Sequence, residues 1–177
     1  MRKIFIYFGA LAIISLLSSC SGSKDARIEP GSITISNDLE NTGWINQYTL
    51  VKDVAHSGKI SSKIDSITQY SFGYSEKFKN ISDTLPKSVD FSVWVYFPQT
   101  GINGSLVYSI DSVGKNIFWK GIPLKDSVKA ANQWKEIKTN IELPRKIMPT
   151  DKISIYVWNP DKKTFYVDDM KIIFHNQ

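Results

Sequence analysis

The chain has 177 residues, 22 Lys and Arg against 17 Asp and Glu, and a single cysteine. Without residues 1–19, set aside for the reasons below, 158 residues remain with 20 basic against 17 acidic, a net charge of +3 rather than +5. That balance, with no Lys/Arg run longer than two, excludes a nucleic-acid footprint; one cysteine excludes a disulfide framework, so the core must come from packing.

Arg2 and Lys3 precede an apolar run over residues 4–17, broken only by Gly9 and Ser15. The run is shorter than the ~20 residues of a spanning helix and has the length of a signal-peptide hydrophobic segment. It ends in Leu17-Ser18-Ser19-Cys20, which resembles the lipobox of bacterial lipoproteins. The resemblance implies cleavage before Cys20 and attachment there of a diacylglycerol thioether and an N-acyl chain such as palmitate, together a stable membrane anchor. The alternative is an ordinary secretory signal with a chance cysteine. Ser21 stands where retained inner-membrane lipoproteins carry aspartate, so by analogy the expected location is the cell envelope, at the outer membrane. Residues 1–19 are then a signal peptide, 20–32 a polar lipidated tether, and 33–177 a domain.

Within that domain short apolar-alternating runs follow one another: residues 33–35, 60–67, 70–78, 89–97, 106–110, 117–119, 134–143, 153–158 and 165–174. Pro86, Pro98, Pro123, Pro144, Pro149 and Pro160 fall between them or at their ends, where strands tolerate proline. Residues 125–135 carry a short, weak helical period and nothing else does. Eight or nine strands at this spacing predict an all-β domain, a sandwich or barrel.

Asp38-Leu39-Glu40, Gly43-Trp44, Ala55-His56-Ser57-Gly58 and the runs at residues 89–96, 134–137, 155–158 and 165–170, in that order, resemble the galactose-binding-like jelly rolls, in particular carbohydrate-binding modules of families 4, 9 and 22. Asp38-Leu39-Glu40 before Gly43-Trp44 is similar to their opening, and Ala55-His56-Ser57-Gly58 before Ser61-Ser62-Lys63-Ile64 to their serine-glycine segment. Residues 89–96, Trp134-Lys135-Glu136-Ile137, Ile155-Tyr156-Val157-Trp158 and Phe165-Tyr166-Val167-Asp168-Asp169-Met170 are similar to later strands. The resemblance implies a two-sheet β-sandwich that binds polysaccharide without catalysis. It further implies a structural calcium held by Glu40, by carbonyls around residues 57–59, and by Asp168. Alternation gives Asp168 the parity of Met170, Ile172 and Phe174, and a buried lone carboxylate costs several kcal/mol unless it is ligated or hydrogen-bonded. Pairing with a lysine or capping by backbone amides is the alternative to the ion.

Sugar rings present C–H faces to aromatic rings, so a glycan site needs exposed Trp or Tyr beside polar groups. Residues 153–158 place Ser154, Tyr156 and Trp158 opposite the apolar set; residues 89–97 likewise place Asp90, Ser92, Trp94 and Tyr96. The resemblance assigns the position of Tyr156 to the ligand cleft and puts Tyr70 and Tyr74 at a second platform, while Trp158 replaces a Glu common in the family. The candidate carbohydrate-binding residues are therefore Tyr156, Trp158, Tyr74, Tyr70, Trp94 and Tyr96, with Trp134, Trp44 and Trp119 expected in the core. Packing beneath a loop is the structural alternative for Trp94 and Tyr96.

Catalytic patterns are absent from the sequence. His56 and His175 stand alone without a triad, phosphate loop or dinucleotide fingerprint. Glu136 and Glu142, about 20 Å apart along one strand, exceed the separation glycosidases use. The second function class is a structural or adhesion subunit docking another envelope protein. Four triplets, Asp65-Ser66-Ile67, Asp83-Thr84-Leu85, Asp111-Ser112-Val113 and Asp126-Ser127-Val128, resemble the O-glycosylation site of exported Bacteroidetes proteins, with Asp-Ser turn chemistry as the alternative.

Overall fold

The computed structural model describes residues 31–176. The signal peptide, Cys20 and nearly all of the tether lie outside these residues. Ten strands are found among them: β1 (Ser32–Asn37), β2 (Leu50–Val51), β3 (Ser61–Ile64), β4 (Tyr74–Lys77), β5 (Ser88–Tyr96), β6 (Ser105–Ser112), β7 (Lys115–Pro123), β8 (Trp134–Glu142), β9 (Lys152–Trp158) and β10 (Phe165–His175). Nine coincide with the expected runs; the two-residue β2 is the addition. Residues 125–135 form no helix. The helical pieces among the described residues are one turn, α1 (Phe78–Ile81), and a 3-10 turn at Gln47–Thr49.

The strands make two antiparallel sheets, of six and four strands. The six-stranded sheet runs β2-β3-β10-β5-β8, with β1 also paired to β10. Because β5 lines one edge of β10 throughout, β1 and β3 follow each other along the opposite edge. The four-stranded sheet runs β4-β9-β6-β7. Period-two alternation buries one face of each sheet: Val89, Phe91, Val93 and Val95 from β5 meet Leu106, Tyr108 and Ile110 from β6 and Ile153, Ile155 and Val157 from β9. Each such side chain contributes about 1.5–3 kcal/mol on burial. Tyr108, the largest of them, has its hydroxyl against Thr139 Oγ1 at 2.6 Å, so its polar end is satisfied. The chain is a two-sheet β-sandwich.

Two local features depart from plain alternation. The register of β10 against β5 shifts between Asp168 and Lys171, and Asp169 takes a left-handed φ of 44°. This bulge inverts the expected parity. Val167, expected outside, opposite Val95, is in the core, whereas Asp168 lies opposite Trp94 on the outer side. Asp168 is fully buried all the same, because the turn at residues 54–58 covers it. The second feature is the β6–β7 turn at Val113-Gly114, both with positive φ (48° and 77°), the twist a two-residue hairpin needs.

Candidate functional site

On the outward face of the four-stranded sheet, strand register aligns side chains into rows. One row runs from Gly73, beside the start of β4, through Tyr156 on β9 and Val107 on β6 to Gly121 on β7. The next holds Ser75, Ser154, Ser109 and Trp119. On the other side of Tyr156, Trp158 pairs with Ser105 and bridges to Tyr70. Beyond the serines lies a row of Lys77, Lys152, Asp111 and Asn116.

The aromatics on this face hold one another in place. Tyr70 and Tyr156 meet edge to face with centroids 5.6 Å apart, and Trp119 and Trp158 do the same at 6.2 Å. Val107 beneath them is fully buried although it faces outward, so the rings roof the sheet. Trp119 is 51% exposed and Tyr70 46%, leaving wide apolar ring surface open to water. Gly121 seats the Trp119 indole: a Cβ there would lie 2.5 Å from its Cη2. Gly73 gives Tyr156 the same room, since a Cβ would approach the Tyr156 Cβ to 2.8 Å. Burial pushes the Tyr156 phenol up, the neighbouring Tyr70 adds to it, and the Trp119 N–H opposes it. The serine row is closed on itself, with Ser75 and Ser154 hydroxyls 2.8 Å apart and Asn116 Nδ2 donating to Ser109 Oγ at 2.8 Å.

Of the aromatics singled out in the sequence, this face brings together Tyr156, Trp158 and Tyr70. Tyr74 is not among them. Its ring points into the core, against Trp44 (5.2 Å) and Phe174 (6.2 Å), and burial pushes its phenol up to about 12. The reason is parity: Gly73 and Ser75 face outward, so Tyr74 faces in. Trp94 and Tyr96 do face outward, but from the six-stranded sheet on the other side of the sandwich. The imidazole of His56 stacks on Trp94 at 3.7 Å, and Tyr96 packs on Trp134 and Tyr166. They therefore cannot share a ligand-contacting surface with Tyr156. Trp44 does pack on the core, stacked on Phe72, whereas Trp134 lies half-buried beside Tyr96 and His56. Trp119, expected in the core, instead joins the open face. Its parity with Gly121, against Phe118 and Ile122 packed inward, is the signal that locates it.

The two acids expected to hold calcium both address one turn. Glu40 Oε1 accepts the N–H groups of Lys59 (2.6 Å) and Ile60 (2.7 Å). Asp168 Oδ2 accepts those of His56 (2.7 Å) and Ser57 (3.3 Å), and its Oδ1 that of Asp169 (2.8 Å). Asp169 in turn takes Ser57 Oγ at 2.7 Å and pairs with His56 Nδ1. Calcium takes six to eight oxygens. Here the turn presents N–H donors to both carboxylates. Backbone amides of the turn cap both carboxylates, the alternative to the ion.

No protein-family model matches the chain, and no curated protein matches it in sequence. Solved structures do match. The CBM22-2 xylan-binding domain from Paenibacillus barcinonensis Xyn10C superposes with a TM-score of 0.53 at 19% identity, over 79% of this chain and 98% of that one. The CBM22-1-CBM22-2 tandem of the same Xyn10C gives 0.58 at 18% identity, over 88% and 53%. The CBM35 from Cellvibrio japonicus Abf62 gives 0.52 at 9% identity, over 81% and 99%. The likeness is one of fold. This chain has the β-sandwich of carbohydrate-binding modules.

Proposed function

We propose that the chain is a non-catalytic polysaccharide-binding protein held at the cell envelope by lipid on Cys20. The observation that carries this reading is the roof of four aromatic rings, Tyr70, Tyr156, Trp119 and Trp158, on an outward sheet face where polar side chains are the norm. Partly exposed rings, fixed by mutual contact, are preorganised to take sugar C–H faces. Ile45 and Ile117, the exposed isoleucines beside this face, stand only at its two margins, so no continuous aliphatic patch extends it. Because one of the structures with this fold, the CBM22-2 domain, is named as binding xylan, xylan is the first glycan to try. Retardation of the purified chain in gels containing xylan, β-glucan, mannan or pectin tests the reading, and migration unchanged by every glycan would refute it.

Anchoring rests on Leu17-Ser18-Ser19-Cys20, outside the described residues. Cys20→Ser is expected to abolish labelling by radioactive palmitate and to leave precursor uncleaved or protein in the soluble fraction. Label retained in that variant would remove the lipobox from the account.

The four Asp-Ser/Thr-apolar triplets supply acceptors for O-linked sugar. Ser66, Thr84 and Ser127 are exposed and Ser112 is half-buried, so the hydroxyls can carry a glycan. Asx-turn chemistry accounts for one triplet, where Asp65 Oδ1 accepts the N–H of Ile67 and Thr68. Ile67 and Val113, 87% and 94% exposed, do no packing that would explain an apolar residue there. Intact mass of protein from the native host is expected to exceed the polypeptide mass by hexose-scale increments; a mass without them ends this reading.

A further inference from the structure

Below the aromatic roof, the same outward face ends in a row where two lysines stand side by side. Lys77 on β4 and Lys152 on β9 are direct cross-strand partners. Like charges in that position repel. Both side chains are exposed, and neither belongs to an ion pair among the described residues. The carboxylate next in the row, Asp111, accepts Asn116 Nδ2 at 3.1 Å. Around these groups the surface sinks into a depression of about 510 Å³ lined by Lys77, Lys152, Asp111, Thr150, Val113 and Gly114.

This depression is continuous with the aromatic face. Lys152 and Tyr156 lie on the same side of β9, four residues and so about 13 Å apart. Between them are only the short side chains of Ser75, Ser154 and Ser109, already hydrogen-bonded and thus a low floor rather than a barrier. A ligand lying along β9 reaches from ring to ammonium without rising off the sheet.

We propose that the Lys77–Lys152 pair is an anion subsite, and that the glycan taken by this face carries acidic substituents, carboxylate or sulfate, spaced from its stacked sugars. The inference rests on the glycan-binding reading above. An anion between the two ammonium groups converts their repulsion into two attractive contacts, while Thr150 and Asn116 offer polar partners to neighbouring hydroxyls. The contacts are exposed and so individually modest, and together correspond to about a tenfold preference that weakens as salt is raised.

The test compares glucuronoxylan with its carboxyl-reduced form, and dextran sulfate with dextran, by affinity electrophoresis and calorimetry on the full mature chain. The wild type is expected to bind one acidic polymer of the two pairs about tenfold better than its neutral partner, and which pair responds separates uronate from sulfate. Lys77→Ala/Lys152→Ala should erase that preference, retain binding of the neutral polymer and melt no lower than the wild type, because a repulsive pair has been removed. Lys138→Ala/Lys171→Ala, on the outer face of the six-stranded sheet, should keep the preference. Equal binding of acidic and neutral polymers overturns the anion subsite alone, as does an equal loss in both double variants, which would show diffuse charge attraction. Binding of no polymer overturns the glycan-binding reading itself, whereas binding indifferent to Tyr156→Ala moves the site off this face and takes the anion subsite with it.

Discussion

Replacement of Asp168 by alanine is expected to lower the stability of the domain at pH 5 by about 3–5 kcal/mol, a fall in Tm of roughly 10 °C. The carboxyl is fully buried and accepts three backbone N–H groups, from His56, Ser57 and Asp169. Alanine leaves all three without an acceptor and releases the turn that covers Trp94. The size of the loss depends on pH with a definite sign. Burial pushes the Asp168 carboxyl up from 3.8 to about 6, outweighing the N–H donors, with the Asp169 charge adding to the rise. A folded value above the unfolded one means that the contribution is complete below about pH 4 and is lost as pH climbs through about 6. The wild type should therefore shed up to about 3 kcal/mol across that window, and the gap to the alanine variant should narrow. Thermal melts of wild type, Asp168→Ala and Asp168→Asn between pH 4 and pH 8 check this, with the asparagine variant losing the slope. Chelator should leave the wild-type melt unchanged. A Tm that falls in chelator, and no longer does so in Asp168→Asn, would restore calcium and overturn the amide-capped assignment.

The second large effect belongs to the aromatic roof. Tyr156→Ala and Trp119→Ala are each expected to weaken glycan binding by about 2 kcal/mol, roughly thirtyfold, with little change in Tm for Trp119→Ala because half of that ring is already in water. Gly121→Ala should imitate Trp119→Ala without removing any ring, since its new methyl clashes with the indole and displaces it. Tyr74→Phe should bind normally, its ring being buried on the other side of the strand. Calorimetric titration of the four variants decides. Undiminished binding by Tyr156→Ala and Trp119→Ala together would move the site off this face.

How far the sequence foretold all this depends on the reach of each signal. Strands β5, β9 and most of β10 alternate cleanly, so their inward and outward sets could be read directly. Alternation does not say which sheet a strand joins, and for that reason Trp94 and Tyr96 could be grouped with Tyr156 although a whole sandwich lies between them. The bulge at Asp168 was equally hidden: Asp168-Asp169 looks like any pair of residues in a strand, and only the register against β5 shows the extra residue. Ile117-Phe118-Trp119 is apolar throughout, so parity had to come from Gly121 and the packing of Phe118. Glu40 and Asp168 both meet the turn at residues 56–60, and a sequence motif does not show that the turn meets them with N–H groups.

The last strand in the sequence, β10, is also the one on which the larger sheet is hung, with β1, β3 and β5 all paired to it. These eleven residues are made after every other described strand. Until then three strands have open edges and no common partner, and pairings such as Ser32 with His175 span nearly the whole chain. Assembly of the larger sheet accordingly waits on β10. A variant lacking β10 leaves β1, β3 and one edge of β5 without their shared partner, open to proteases.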